Sequence, residues 1–310
     1  MAARRFELTT LGTGAALPAR GRFPTAQLLT INEALYLVDC GEGTQERLRE
    51  GGINFMRIGH IFISHLHGDH YLGLMGLLSS MHLMGRGTEL HVFGPPALKQ
   101  VIDLQLQVSG TYLRYVLHVH ALRHESGIVV LEDRNVTVST LALKHRVPCT
   151  GFVFRERPAS RHLRKEMLHL IPHFRRDAVK AGEDLTLTDG RVIPNAELTT
   201  DPAPQRSYAY CSDTAYEPAL VPYLKEVDLL YHEATFTEHL LKRAKETMHS
   251  TARQAATLAM EANVGQLLLG HFSSRYKTAD ELLVEARAVF AHTLLSYEGG
   301  VFPVRERTGV

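Results

Sequence analysis

The chain has 310 residues, 45% hydrophobic and 22% charged, with 34 Lys and Arg against 33 Asp and Glu. That length can bury one large core or two modest ones, and a net charge of +1 excludes a globally basic nucleic-acid binder, so any basic surface is local. There is no run of 18 uncharged apolar residues and Met1 to Phe6 lacks an apolar core, so neither secretion nor a membrane span is expected. Three widely spaced cysteines (Cys40, Cys149, Cys211) point to a reducing compartment. Cys149 and Cys211 read as core thiols, with thiolate ligation of a metal as the alternative.

Residues 6 to 11 alternate as a strand and run into Gly12-Thr13-Gly14, a turn that is only a weak phosphate-loop signal. A Pro-bounded loop follows, Leu17 to Pro24, carrying Arg20 and Arg22. Residues 26 to 38 predict a hairpin turning near Asn32-Glu33 and ending at Asp39, a carboxylate that reads as supporting a metal ligand rather than being one. The apolar run Ile61-Phe62-Ile63 predicts a buried strand, and Tyr71 to Met84 a helix apolar on nearly every side. A strand at His91 to Phe93 and a helix from Ala97 come next. His118 and His120 lie on a further strand and read as ordinary strand residues.

Residues 126 to 143 predict a hairpin that delivers His145 at a strand end, and residues 184 to 194 another with Asp189-Gly190 as a type I′ turn. Ser207 to Cys211 leads to Asp213, and Val227 to Tyr231 leads to His232-Glu233. A helix over 251–263 precedes the strand Gln266 to Leu269, which ends at Gly270-His271. Thr278-x-x-Glu281 predicts a capping box on the last helix.

Between the strand Ile61-Phe62-Ile63 and the helix from Tyr71 lies His65-Leu66-His67-Gly68-Asp69-His70. Three imidazoles and a carboxylate in six positions suit borderline divalent metals such as Zn²⁺ and Mn²⁺. Gly68 is expected to bend the loop so that His65 and His67 face one metal while Asp69 and His70 turn to a second. His145, Asp213 and His271 each follow a short apolar strand, where open α/β sheets collect function. Assigning His145 to the first metal, His271 to the second and Asp213 as the bridge gives seven ligands for two metals, a set suited to phosphodiester hydrolysis. Glu233 and His249 form a candidate carboxylate–imidazole pair for general acid chemistry.

The interval Arg155 to Lys180 holds eight Lys/Arg against three acids. It reads either as a solvated charged helix or as an inserted arm for a phosphate backbone, with Arg164, Lys165, Arg175 and Arg176 as candidate contacts.

In order, Leu11 to Gly14, Asp39 to Thr44, Ser64 to His70, His145-x-x-Pro148, Ser212-Asp213-Thr214, His232 to Phe236, His249-Ser250-Thr251 and Gly270 to Tyr276 resemble the metallo-β-lactamase superfamily. The His-Glu-Ala-Thr-Phe, His-Ser-Thr and His-Phe-Ser-x-Arg-Tyr stretches resemble, within it, the ribonuclease Z family of tRNA 3′-processing endonucleases. The resemblance implies an α/β fold, a single αββα four-layer sandwich over 1–310 with an inserted flexible arm at 155–200. It implies two Zn²⁺ per subunit, a cytoplasmic homodimer with no membrane association, and precursor tRNA cut after the discriminator base to leave a 3′-hydroxyl. Asp69 matches the proton acceptor for the attacking water, His249 with Glu233 the acid for the leaving oxygen, and Arg275 a phosphate contact. Arg20 and Arg22 align with the family's Pro-x-Lys-x-Arg-Asn loop, linked to sensing a CCA end. Here Arg20 stands for the Lys and Phe23 for the Asn, and the arm's Gly-Pro-rich tip is missing around Leu170 to Phe174. Two other readings remain open on the residues alone: a phosphodiesterase or small-ester hydrolase with the same metals, and an RNA-binding protein with a structural metal site.

Overall fold

The computed structural model describes residues 5–306, so most of the stretch Met1 to Phe6, where no apolar leader is expected, lies outside the described residues. The chain forms two compact units, the first up to residue 155 and again from 206 onward, the second over 156–205. Strands run in chain order β1 (Phe6–Gly12), β2 (Ala26–Ile31), β3 (Ala34–Val38), β4 (Ile58–Phe62), β5 (Leu90–Gly94) and β6 (Leu117–Ala121). Next come β7 (Val129–Glu132), β8 (Val136–Leu143) and β9 (Cys149–Glu156). The second unit carries β10 (His162–Leu163), β11 (Leu185–Thr186), β12 (Val192–Ile193) and β13 (Thr199–Thr200). The first unit resumes with β14 (Ser207–Cys211), β15 (Leu229–Glu233), β16 (Gln266–Gly270), β17 (Thr293–Leu295) and β18 (Val301–Pro303).

In the first unit two seven-stranded sheets, ordered β18-β1-β2-β3-β4-β5-β6 and β17-β16-β15-β14-β9-β8-β7, share a core. Strand alternation sends Leu8, Tyr36, Val38 and Phe62 from one sheet against Phe152, Phe154, Tyr210 and Tyr231 from the other. The opposite parity, such as Leu28, Leu37 and Ile61, packs on helical residues Leu48, Leu74 and Leu98. On the second sheet, Leu230, Leu267 and Leu269 pack on Ala255, Leu258 and Leu282. Both faces of each sheet are thus covered, and the layers stack αββα as expected. β3, β4 and β5 run parallel, as do β14, β15 and β16, so the loops after each group leave the same edge.

Several local expectations change. The helix expected over 71–84 is two pieces, Gly68–Tyr71 and Leu74–Leu83, because Gly73 N donates to Cys40 O at 2.9 Å and a Cβ there would lie 2.1 Å from Gly41 O. Only one face of the longer piece is buried, through Leu74, Leu77, Leu78 and Met81. Gly68 does not adopt a positive φ; it opens a single helical turn, and that turn is what separates Asp69 and His70 from His65 and His67. His232 and Glu233 lie within β15 rather than after it. The capping box expected at Thr278 is absent, since the last helix starts at Asp280 behind Ala279, which puts Thr278 one residue outside the cap. A capping box does form at Thr251 and Gln254.

The second unit has a core of its own, Ile171, Val179, Leu185 and Leu198. Its basic stretch is not one charged helix but two 3₁₀ turns, Lys165–Met167 and His173–Arg175, leading into the helix Arg176–Lys180. The 187–191 connection is not type I′, because Gly190 has φ 84° while Asp189 is not among the positive-φ residues. Gly190 N bonds Leu187 O at 3.0 Å, a turn closed by one left-handed glycine.

Candidate metal centre

The seven side chains expected as ligands converge at the edge where those loops emerge. Tetrahedral ligands about 2.0–2.1 Å from a metal sit roughly 3.3–3.4 Å from one another. His65 Nε2 lies 2.9 Å from His67 Nδ1, and His145 Nε2 lies 3.3 Å from the same atom. Asp213 Oδ2 is 3.6 Å from both His65 Nε2 and His145 Nε2. Its other oxygen faces a second set: Asp213 Oδ1 is 3.2 Å from His70 Nε2 and 3.0 Å from His271 Nε2. Asp69 Oδ2 lies 3.5 Å from each of those two nitrogens.

The chemistry of this donor set fits cations. Among the described residues, His70 Nε2 and His271 Nε2 are buried with no hydrogen-bond partner. Their outer nitrogens are engaged, which assigns the tautomers. His70 Nδ1 donates to Asp39 Oδ2 at 2.7 Å, and His145 Nδ1 to the Met248 carbonyl at 3.0 Å. His271 Nδ1 donates at 3.0 Å to Thr235 Oγ1, which donates on to Glu233 Oε2 at 2.6 Å. In each case the outer nitrogen is the one hydrogen-bonded, so the inward nitrogen offers its lone pair to a cation that takes the place of a proton there, the arrangement that orients metal-binding histidines.

Asp39 is itself fixed by Ser64 N at 2.7 Å and by the Tyr210 hydroxyl at 2.5 Å. Asp39, Asp213 and His271 all have left-handed backbones, with φ of 55°, 58° and 56°. Such conformations cost about 1–3 kcal/mol each for non-glycine residues and persist where the surroundings over-determine them. Burial would push the Asp213 carboxyl up, yet the imidazoles of His271, His70 and His65 hold it well below the usual range. Burial lowers His65 to about 2, helped by neighbouring His70. Burial would likewise lower His70, but Asp213, Asp39 and Asp69 raise it well above its ordinary value.

Glu233 and His249, 16 residues apart in sequence, meet at the centre: His249 Nδ1 donates to Glu233 Oε1 at 2.8 Å. Thr214 N and Ser250 N also donate to that carboxylate, at 2.7 and 3.1 Å. Burial opposes protonation of His249, but the Glu233 charge and hydrogen bond outweigh it and raise the imidazole to about 9. Asp69 Oδ2 accepts from Ala16 N at 2.8 Å.

A cleft of about 530 Å³ opens over these groups, lined by Asp69, His145, Asp213, His249 and His271 and walled by Arg275, Arg146 and Arg243. The sequence reading did not single out Arg146 or Arg243. Arg146 was findable as the residue next to His145, whereas nothing local marks Arg243. The Arg275 guanidinium lies 5.2 Å from the Phe236 ring centroid. Arg20 and Arg22 turn back onto the segment after β16: Arg20 Nε donates to Ser274 O at 2.7 Å and Arg22 Nη1 to Tyr276 O at 3.2 Å. Phe23 packs under Arg47, whose guanidinium is 5.1 Å from its ring. Arg164, Lys165, Arg175 and Arg176 belong to the second unit, where Arg164 Nε donates to Thr199 O at 3.1 Å and Arg175 pairs with Glu183 at 3.2 Å. Cys149 and Cys211 are buried, unpaired thiols; Cys149 Sγ sits behind His65, 3.5 Å from Nδ1.

A curated protein named ribonuclease Z from Bacteroides fragilis is 46% identical over 296 residues, 95% of this chain and 97% of the relative. The chain belongs to the ribonuclease Z family. A Cytophaga hutchinsonii ribonuclease Z is 46% identical over 304 residues, covering 97% of each chain. The crystal structure of human tRNase Z, short form, superposes with a TM-score of 0.71 at 27% identity, covering 96% of this ribonuclease Z family chain and 99% of the human one. A family profile described as anti-Pycsar protein Apyc1 matches residues 6–159. That span carries β1 to β6 of the first sheet, the six-residue loop and His145, but not β18, Asp213, Glu233, His249 or His271.

Proposed function

We propose that this ribonuclease Z family member is a metal-dependent endoribonuclease that removes 3′ trailers from tRNA precursors. The observation that carries the reading is Asp213, whose two oxygens enter two separate ligand sets beside the Glu233–His249 pair. By donor chemistry, one Zn²⁺ would be held by His65, His67, His145 and Asp213, and a second by Asp69, His70, His271 and Asp213, with Mn²⁺ the alternative. Bound there, such ions supply Lewis-acid activation of a phosphoryl oxygen and of water.

The chain's own residues do the rest. The Ala16 N–H holds Asp69 Oδ2 at the cleft floor, where the carboxylate accepts a proton from the water that attacks phosphorus. The bond from phosphorus to the 3′-oxygen of the discriminator nucleotide breaks. That oxygen takes its proton from His249, which Glu233 orients, and leaves as a 3′-hydroxyl while the phosphate stays on the trailer. Arg275, Arg146 and Arg243 on the cleft wall are placed to pair with backbone phosphates. The second unit, with Arg164, Lys165, Arg175 and Arg176, serves as the arm that grips tRNA, and Arg20 and Arg22 set the loop that carries Pro18. Two further expectations belong to this reading: a homodimer, in which one subunit's arm holds the tRNA cut by the other, and a cytoplasmic setting. No helix among the described residues is long and apolar enough to cross a membrane.

The test is cleavage of a 5′-labelled precursor tRNA with a 3′ trailer by wild type, Asp69→Ala and an Arg164/Lys165/Arg175/Arg176→Ala variant. One metal-dependent cut after the discriminator, absent in Asp69→Ala and slowed in the arm variant, supports the reading. Intact RNA beside rapid turnover of bis(p-nitrophenyl) phosphate overturns the substrate and leaves a small-phosphodiester hydrolase.

A further inference from the structure

The outer edge of the first sheet carries another histidine–carboxylate group that the hydrolytic reading does not use. β4, β5 and β6 are parallel, and their register pairs His60 with His91 and His91 with His118. Register partners in a sheet share a face about 4.8 Å apart. Their imidazoles accordingly form a row: His60 and His91 stack at 5.4 Å and 22°, His91 and His118 at 4.7 Å and 16°. His120, two residues along β6, lies on the same face and stacks on His91 at 5.3 Å.

Glu89, immediately before β5, reaches two members of the row. Its Oε2 lies 3.3 Å from His118 Nε2 and its Oε1 3.6 Å from His91 Nε2. Glu89, His91 and His118 each offer one ligand atom, and these lie within 4.8 Å of one another. Both carboxylate contacts are already close to the roughly 3.3–3.4 Å that separates ligand atoms around a tetrahedral zinc. The far side of His91 is occupied as well, its Nδ1 lying 3.0 Å from His120 Nε2. With the proton on Nδ1 donated to His120, the His91 Nε2 lone pair faces Glu89 and His118, which repeats the outer-partner arrangement of His70 and His271.

We propose that Glu89, His91 and His118 bind a divalent transition-metal cation of the Zn²⁺, Ni²⁺ or Cu²⁺ class, with His120 orienting His91. The site has three protein ligands and leaves the remaining positions to water. Its effect is mechanical. Among the described residues β6 is the terminal strand of its sheet, with one side unpaired, and a cation shared by β6 and the residues at the start of β5 fastens that edge. Binding to the folded chain alone raises its stability by mass action.

The experiment uses the full-length protein stripped of metal, reloaded with Zn²⁺, desalted and assayed for bound zinc by mass spectrometry, alongside melting temperature. Wild type retains one equivalent more than His118→Ala or Glu89→Gln, and that extra equivalent survives in Asp213→Ala, which removes the shared ligand of the other centre. Zinc raises the melting temperature of Asp213→Ala, and adding His118→Ala to it abolishes the rise. The His118 and Glu89 side chains are 40% and 65% exposed, so both variants keep the fold and cleave precursor tRNA at the wild-type rate. Equal zinc content in wild type, His118→Ala and Glu89→Gln overturns the proposal, and so does an extra equivalent that washes off in one desalting step.

Discussion

The two histidine–carboxylate groups of the first unit use the same side chains in different settings. At the cleft, His65, His70, His145 and His271 are 0–2% exposed, whereas His91 and His118 at the sheet edge are 26% and 40% exposed. The candidate cleft ligands sit at the ends of strands from both sheets, and Asp39, Thr235 and the Met248 carbonyl hold the outer nitrogens of His70, His271 and His145. The edge group is built on neighbouring strands of one sheet, and the outer nitrogen of His91 meets His120, itself exposed. Burial and outer support, more than the presence of imidazole, separate a centre organised for chemistry from one suited to fastening.

That contrast sets the size of the expected effects. Asp213→Ala takes a ligand atom from both cleft sets and is expected to lower precursor-tRNA cleavage by at least roughly 10³-fold. Single-turnover kinetics with bound zinc counted in parallel would measure it, and a variant that loses activity with its cleft metals intact would break the bridging assignment. His249→Ala is expected to lower kcat by about 10²–10⁴-fold with the zinc content of the cleft unchanged. A matching loss of zinc would mean that His249 is a ligand rather than an acid. Asp39→Asn, which alters the partner of the outer His70 nitrogen while Ser64 N and the Tyr210 hydroxyl keep the side chain in place, is expected to weaken cleft metal affinity about 10–100-fold. Competition against a zinc chelator reads this directly, and wild-type affinity would show that burial alone orients His70. Smallest of all, His118→Ala in the metal-free chain is expected to change stability by no more than about 0.5 kcal/mol in urea unfolding, as an exposed residue should.

Most of the cleft was legible in sequence because strand ends and ligand residues are local signals. His65 to His70 follows an apolar strand, and Asp213 and His271 each sit one or two residues past one. The helix break at Gly73 was hidden, because its cause is the Gly41 carbonyl, distant in sequence. The capping box at Thr278 failed because residue spacing does not say on which residue a helix begins. Gly68 was expected to bend the loop between the two ligand pairs, and the bend takes the form of a single helical turn that opens at Gly68.

By itself the sequence determined the candidate ligand types and their order along the chain, and its resemblance to the metallo-β-lactamase superfamily implied the sandwich. Tertiary structure alone decided which Asp213 oxygen faces which set, that Glu233 and His249 touch, and that Arg146 and Arg243 flank the same cleft. It also decided that His91 and His118, read as plain strand residues, stand side by side with Glu89 between their ring nitrogens. The physical reason is that side-chain alternation and turn chemistry are set within a few residues, whereas strand register between segments dozens of residues apart is fixed only when both faces of a sheet are packed.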